Sequence, residues 1–125
     1  MRAYTVPAAA VALRVPSKWI DNLLARHRIA GVPRGRQGLQ RRLGPEALLR
    51  VAVTRLLVRD LGLPVGRAVI LAERACESRR GDVTPSPHLA LRVDLAALEQ
   101  ELTDCLVDGA HMLAAPRRGR PVRRR

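Results

Sequence analysis

Apolar positions in this chain recur mostly at helical spacing. Val6, Ala9, Ala10 and Leu13 follow one another at intervals of three and four, behind Thr5-Val6-Pro7. A threonine hydroxyl can cap a helix start, and proline is tolerated in a first turn, so a first helix is predicted there. Arg14-Val15 reads as a short turn. Pro16 restarts the chain into a second helix to about His27, with Trp19, Ile20, Leu23 and Leu24 on its apolar face. Residues 31–43 hold Gly31, Gly35 and Gly38 with one proline and four arginines, which predicts a β-hairpin around Arg36-Gln37-Gly38. Gly44-Pro45-Glu46 opens a third, largely buried helix that stops at Leu61-Gly62, and Pro64 opens a fourth through about Glu77. Arg79 to Pro87 has the composition of a linker. From His88 to Asp94 the pattern changes to alternation, which sets Leu89, Leu91 and Val93 on one face of a strand. Asp94 is placed to cap a last helix striped by Leu95, Leu98, Leu102, Leu106 and Leu113, with Glu99, Glu101, Asp104 and Asp108 opposite.

The fold class expected from these elements is mainly α with a small β-hairpin wing, an α+β arrangement. At 125 residues the chain suits one compact domain with an appendage. No apolar run reaches the length of a membrane span, and Met1 to Thr5 shows no export signal, so a cytoplasmic protein is expected. Two cysteines, Cys76 and Cys105, make no disulfide framework.

Charge divides the chain further. Formal net charge is +12, carried by 22 arginines and the single Lys18 against 11 acids. Residues 1–80 balance at +11, residues 81–115 at −5, and residues 116–125 at +6. A basic module, an acidic module and a basic tail are expected to do different work, and the natural partner of so basic a chain is a polyanion.

Two short helices, a tight turn, a glycine-bearing hairpin and a further helix make a winged helix-turn-helix. The residues carry a resemblance as well. Tyr4-Thr5-Val6, Val15-Pro16-Ser17-Lys18-Trp19-Ile20, Arg28-Ile29-Ala30-Gly31, Gly38 and Arg59-Asp60-Leu61-Gly62-Leu63-Pro64-Val65 keep the order and spacing of one pattern. Over residues 4–75 the chain resembles the DNA-binding domain of the MerR family and its excisionase-like relatives. The last segment is similar to the family's R-x-L-G-[FL]-S-[LI] helix break. The chain departs from the family at Asp21, Asn22 and Leu23, where arginine and aromatic residues are usual, and at Leu39, where the wing usually has tyrosine. The resemblance implies a winged helix-turn-helix that binds duplex DNA.

With Ile20, Leu23 and Leu24 turned inward, the second helix presents Ser17, Lys18, Asp21, Asn22 and Ala25, a stripe that fits a major groove about 12 Å wide. Asn22 suits adenine and Lys18 suits phosphate or guanine; Asp21 suits the cytosine amino group or an orienting contact to Lys18. Arg26, and the wing arginines Arg34, Arg36, Arg41 and Arg42, are candidates for phosphate. Arg118-Gly119-Arg120-Pro121 resembles an AT-hook, in which a glycine without Cβ lets two arginines follow a narrow minor groove. The tail is expected to be disordered. Leu89, Leu91, Val93, Leu98, Leu102 and Leu106 are expected to dimerise the chain, because a lone strand needs a second edge.

No Ser/His/Asp set, phosphate loop or paired-cysteine loop occurs, so no catalysis, cofactor, metal or small-molecule ligand is expected. The expected boundaries are a DNA-binding module at 1–80, a dimerising strand and helix at 81–115, and a basic tail at 116–125. The function expected is a homodimeric, sequence-specific bacterial transcriptional regulator in the nucleoid. The alternatives are an architectural protein that coats A·T-rich DNA, an excisionase-like factor, and, outside DNA binding, an antitoxin or adaptor.

Overall fold

A computed structural model describes residues 3–32 and 42–119, with side chains through residue 107. The described residues form a mainly helical structure with two small antiparallel strand pairs. In chain order these are β1 (Tyr4–Thr5), α1 (Val6–Leu13), α2 (Ser17–Arg26), β2 (Arg42–Leu43), α3 (Pro45–Leu61), α4 (Val65–Glu77), β3 (Asp82–Ser86), β4 (Leu89–Arg92) and α5 (Leu95–Gly119).

The local signals explain the boundaries. Thr5 Oγ1 accepts the Ala8 N–H at 3.2 Å and starts α1. The helix ends where Arg14 turns left-handed, at φ 58°, and the Val15 N–H closes onto the Ala10 carbonyl at 3.0 Å. Pro16 is extended and begins α2. Gly62 ends α3 in a left-handed conformation, and Pro64 precedes α4. Asp94 Oδ1 accepts the Ala97 N–H at 3.0 Å at the head of α5.

Two buried clusters hold these elements together. The first joins Val6, Ala9 and Ala10 of α1, Ile20 and Leu23 of α2, Leu43 of β2, and Ala47, Leu48, Val51 and Ala52 of α3; Leu102 of α5 completes it. The second sets α3 against α4 through Val53, Leu57, Ala68, Leu71, Ala72 and Ala75, and closes over Val83, Val93 and Leu95. An Arg50–Glu73 ion pair, with Nε to Oε1 at 2.8 Å, ties α3 to α4 at the surface of the clusters. Trp19 packs against the first cluster, as its spacing predicts.

Four expectations change. Residues 82–86 form β3 within the segment that reads as a linker, and β3 pairs with β4 in register Asp82–Arg92, Val83–Leu91 and Ser86–Leu89. The strand at 89–92 thus finds its edge within its own chain, where the Arg92 guanidinium meets the Asp82 carboxylate at 2.7 Å. The acidic segment does not stand apart, because α5 lies along α1 and sends Leu102 into the first cluster. The helix also continues through Gly119, so residues 116–119 have helical backbone where an unstructured tail is expected. At the other sheet β2 pairs with β1, Leu43 opposite Tyr4 and Arg42 opposite Thr5. The hairpin tip predicted at 36–38 lies outside the described residues.

Candidate nucleic-acid interface

The candidate face is the outer side of α2. Ile20 and Leu23 are buried on the inner side, at 0% and 3% exposure, and Leu24 packs beside them. Three apolar anchors in one helical stripe fix which side faces outward. Lys18, Asp21, Asn22, Ala25 and Arg26 are all exposed, and Ser17 is half-buried in the first turn. Among the described residues, no ion pair within 4.0 Å involves Lys18, Asp21 or Arg26. Asp21 and Lys18, three residues apart, are not paired to each other, so an orienting contact between them is not formed. Among the described residues, the stripe therefore offers a cation, an anion and an amide to solvent with no side-chain hydrogen bond engaging them.

Arg42 lies exposed on β2, paired with the strand that leads directly into α1. Two further cations reach the surface near the ends of α2, and the pattern along the chain did not single them out as contacts. Arg14 is exposed in the left-handed turn before α2, and Arg28 is exposed just after its end. The signal for Arg14 is its position: a residue closing one helix next to the proline that opens another stands at the surface.

The other predicted residues distribute unevenly. Arg34, Arg36, Arg41 and Arg120 lie outside the described residues. Arg118 and Gly119 fall in the last turn of α5, where only backbone is described. Of the six residues assigned to dimer contacts, Val93 and Leu102 are buried within the chain, and Leu91, Leu98 and Leu106 pack against its clusters. Leu89 is the exposed one, at 50%. Residues packed inside one chain have little surface left to offer a second.

The surroundings of Cys76 do not activate it as a nucleophile. Cys76 is half-buried, and burial pushes its thiol up to about 11. No helix among the described residues is long and apolar enough to cross a membrane. Comparison with family models, with curated proteins and with solved structures finds no match to this chain.

Proposed function

We propose that this protein is a sequence-specific DNA-binding regulator. In this reading β1, α1, α2, the β2 wing and α3 form a winged helix-turn-helix, and α2 is the helix that enters the major groove. The observation that carries the reading is the outer stripe of α2. It is largely polar and solvent-exposed, with no ion pair among the described residues, on a helix fixed from behind by Ile20 and Leu23. A net charge of +12 supplies the general attraction to phosphate. Arg26 and Arg42 contact backbone phosphates, Lys18 contacts a phosphate or guanine, and Asn22 reads adenine from its amide. The arginine-rich end adds a second, less selective contact.

The test is a map of chromosomal occupancy by the tagged full chain at physiological salt. A limited set of sharp peaks sharing one short motif is the expected result. Broad occupancy that follows A·T content overturns site specificity in favour of an architectural coat. No enrichment anywhere overturns DNA binding itself and leaves the antitoxin or adaptor reading.

A further inference from the structure

We infer that the outward face of α4 is a two-fold interface, on which a second copy of this chain packs its own α4 in antiparallel orientation. This inference does not depend on DNA binding. Helix α4 buries Ala68, Leu71, Ala72 and Ala75 against α3 and the β3–β4 hairpin. At 3.6 residues per turn, Arg67, Ile70, Arg74 and Glu77 then share an arc of about 80°, running from Arg67 on the flank beside β3 to Ile70 and Glu77 on the side opposite the buried residues. All four are exposed, and Ile70 is 49% accessible. Beside Ile70 a groove of about 490 Å³ lies between α4 and the loop after α2, lined by Ala30 and Val69 and by the charged residues Arg28, Glu73, Arg74 and Glu77. A β-branched side chain half in water at the rim of an apolar groove is a surface that burial would stabilise.

The charge order identifies the occupant. Along the exposed face α4 is basic at its first turn, at Arg67, and acidic at its last, at Glu77, with Ile70 and Arg74 between. A parallel neighbour would set like charge on like. An antiparallel copy centred between Ile70 and Arg74 sets Arg67 opposite Glu77 of the second copy, twice over by symmetry. The same register lays Arg74 of each copy over Ile70 of the other and leaves the two Ile70 side chains as near neighbours. Among the described residues neither Arg74 nor Glu77 has an ion-pair partner within its own chain, and Arg67 uses one N–H on the Pro85 carbonyl at 2.9 Å, keeping four. Two copies each carrying +12 repel over most of their surfaces, and on this face the two Arg67–Glu77 pairs offset that repulsion in part, leaving the two Arg74 over apolar Ile70. A 13-residue helix is only about 20 Å long, so this contact falls below the standard interface of about 1,200–2,000 Å². The dimer is accordingly reversible and concentration-dependent.

Sedimentation of the full chain across a concentration series tests it. The wild type should rise from 13.8 kDa toward twice that mass, and Ile70→Glu, at a half-exposed position, should stay at 13.8 kDa while keeping its helical circular dichroism. Arg67→Glu and Glu77→Arg should each weaken association by roughly tenfold, each replacing two attractive pairs with two repulsive ones. The double variant Arg67→Glu/Glu77→Arg restores the pairing with net charge unchanged, and should recover the wild-type association. A wild type that stays at 13.8 kDa throughout overturns the interface. So does a dimer that survives Ile70→Glu, a double variant no better than the singles, or a partner of different mass that Ile70→Glu releases.

Discussion

Gly81 sits at φ 79°, in the left-handed region that side chains rarely adopt, and is buried against the end of β4. A Cβ built there overlaps the carbonyl of Val93, and the Val93 N–H already donates to the Gly81 carbonyl at 2.9 Å. Gly81→Ala should therefore cost more than the ~1–3 kcal/mol of a strained backbone alone, since the two ends of the hairpin, joined at Gly81 and Val93, must also move apart. Urea unfolding reads this as a lower midpoint at unchanged slope. At Glu73 the Arg50 guanidinium donates to the carboxylate at 2.8 and 3.3 Å and holds its pKa below the ordinary range. A carboxyl lowered by folding stabilises the protein above its unfolded pKa, and that contribution is lost as pH falls through the folded value. Stability measured from neutral into acid should thus fall less steeply in Glu73→Gln than in wild type, because the variant has already lost the titrating pair. At the candidate DNA face, Arg42→Ala should weaken binding to all duplexes alike, and Asn22→Ala should relax preference at one base pair by about 1–3 kcal/mol. Binding to a randomised duplex pool separates the two.

The sequence made some elements plain and left others obscure, and the reason is physical. Thr5, Pro16, Gly62, Pro64 and Asp94 act through their own backbone neighbours, so the ends they set can be read locally. Likewise Ile20 and Leu23, one helical step apart, determine which side of α2 faces outward without reference to any other element. The β3 strand is another matter. Thr84-Pro85-Ser86-Pro87 has the composition of a loop, and it becomes a strand because β4 supplies a ladder and α4 a surface for Val83. The stripe on α5 was legible as apolar, but nothing in its period says whether α1 or another chain covers it. Leu102 decides the matter in this structure: it is 6% exposed and part of the cluster shared by α1, α2 and α3. Leu102→Ala should cost about 2–5 kcal/mol, as deletion of a buried leucine side chain does. The thermal midpoint should drop accordingly. A negligible change would mean that α5 does not dock on α1 in solution.

At the scale of the whole molecule the largest quantity is charge, and it is unevenly placed. Residues 116–125 hold six arginines and no acid, immediately after the segment at 81–115 whose balance is −5. The acidic side chains Glu99, Glu101 and Asp104 on α5 are exposed, so the helix that leads to the basic end is itself unsuited to lie on phosphate. On the proposed reading, the arginines at and after the last turn of α5 make a contact separate from α2. Each phosphate neutralised adds about −0.9 to the slope of log K against log salt, so deleting residues 116–125 should flatten that slope by up to about 5. The same deletion distinguishes two kinds of contact. If these arginines only neutralise phosphate, A·T-rich and G·C-rich duplexes lose affinity equally, and the motif bound by α2 is unchanged. If Arg118-Gly119-Arg120 follows a narrow minor groove, the A·T-rich duplex loses more, because there the groove concentrates negative potential. The second outcome requires residues 118 and 119 to leave the helical backbone they have here, since glycine reaches a groove floor only from an extended chain. A G·C-rich duplex that loses as much as the A·T-rich one therefore assigns the end of the chain to phosphate alone, and leaves base reading to α2.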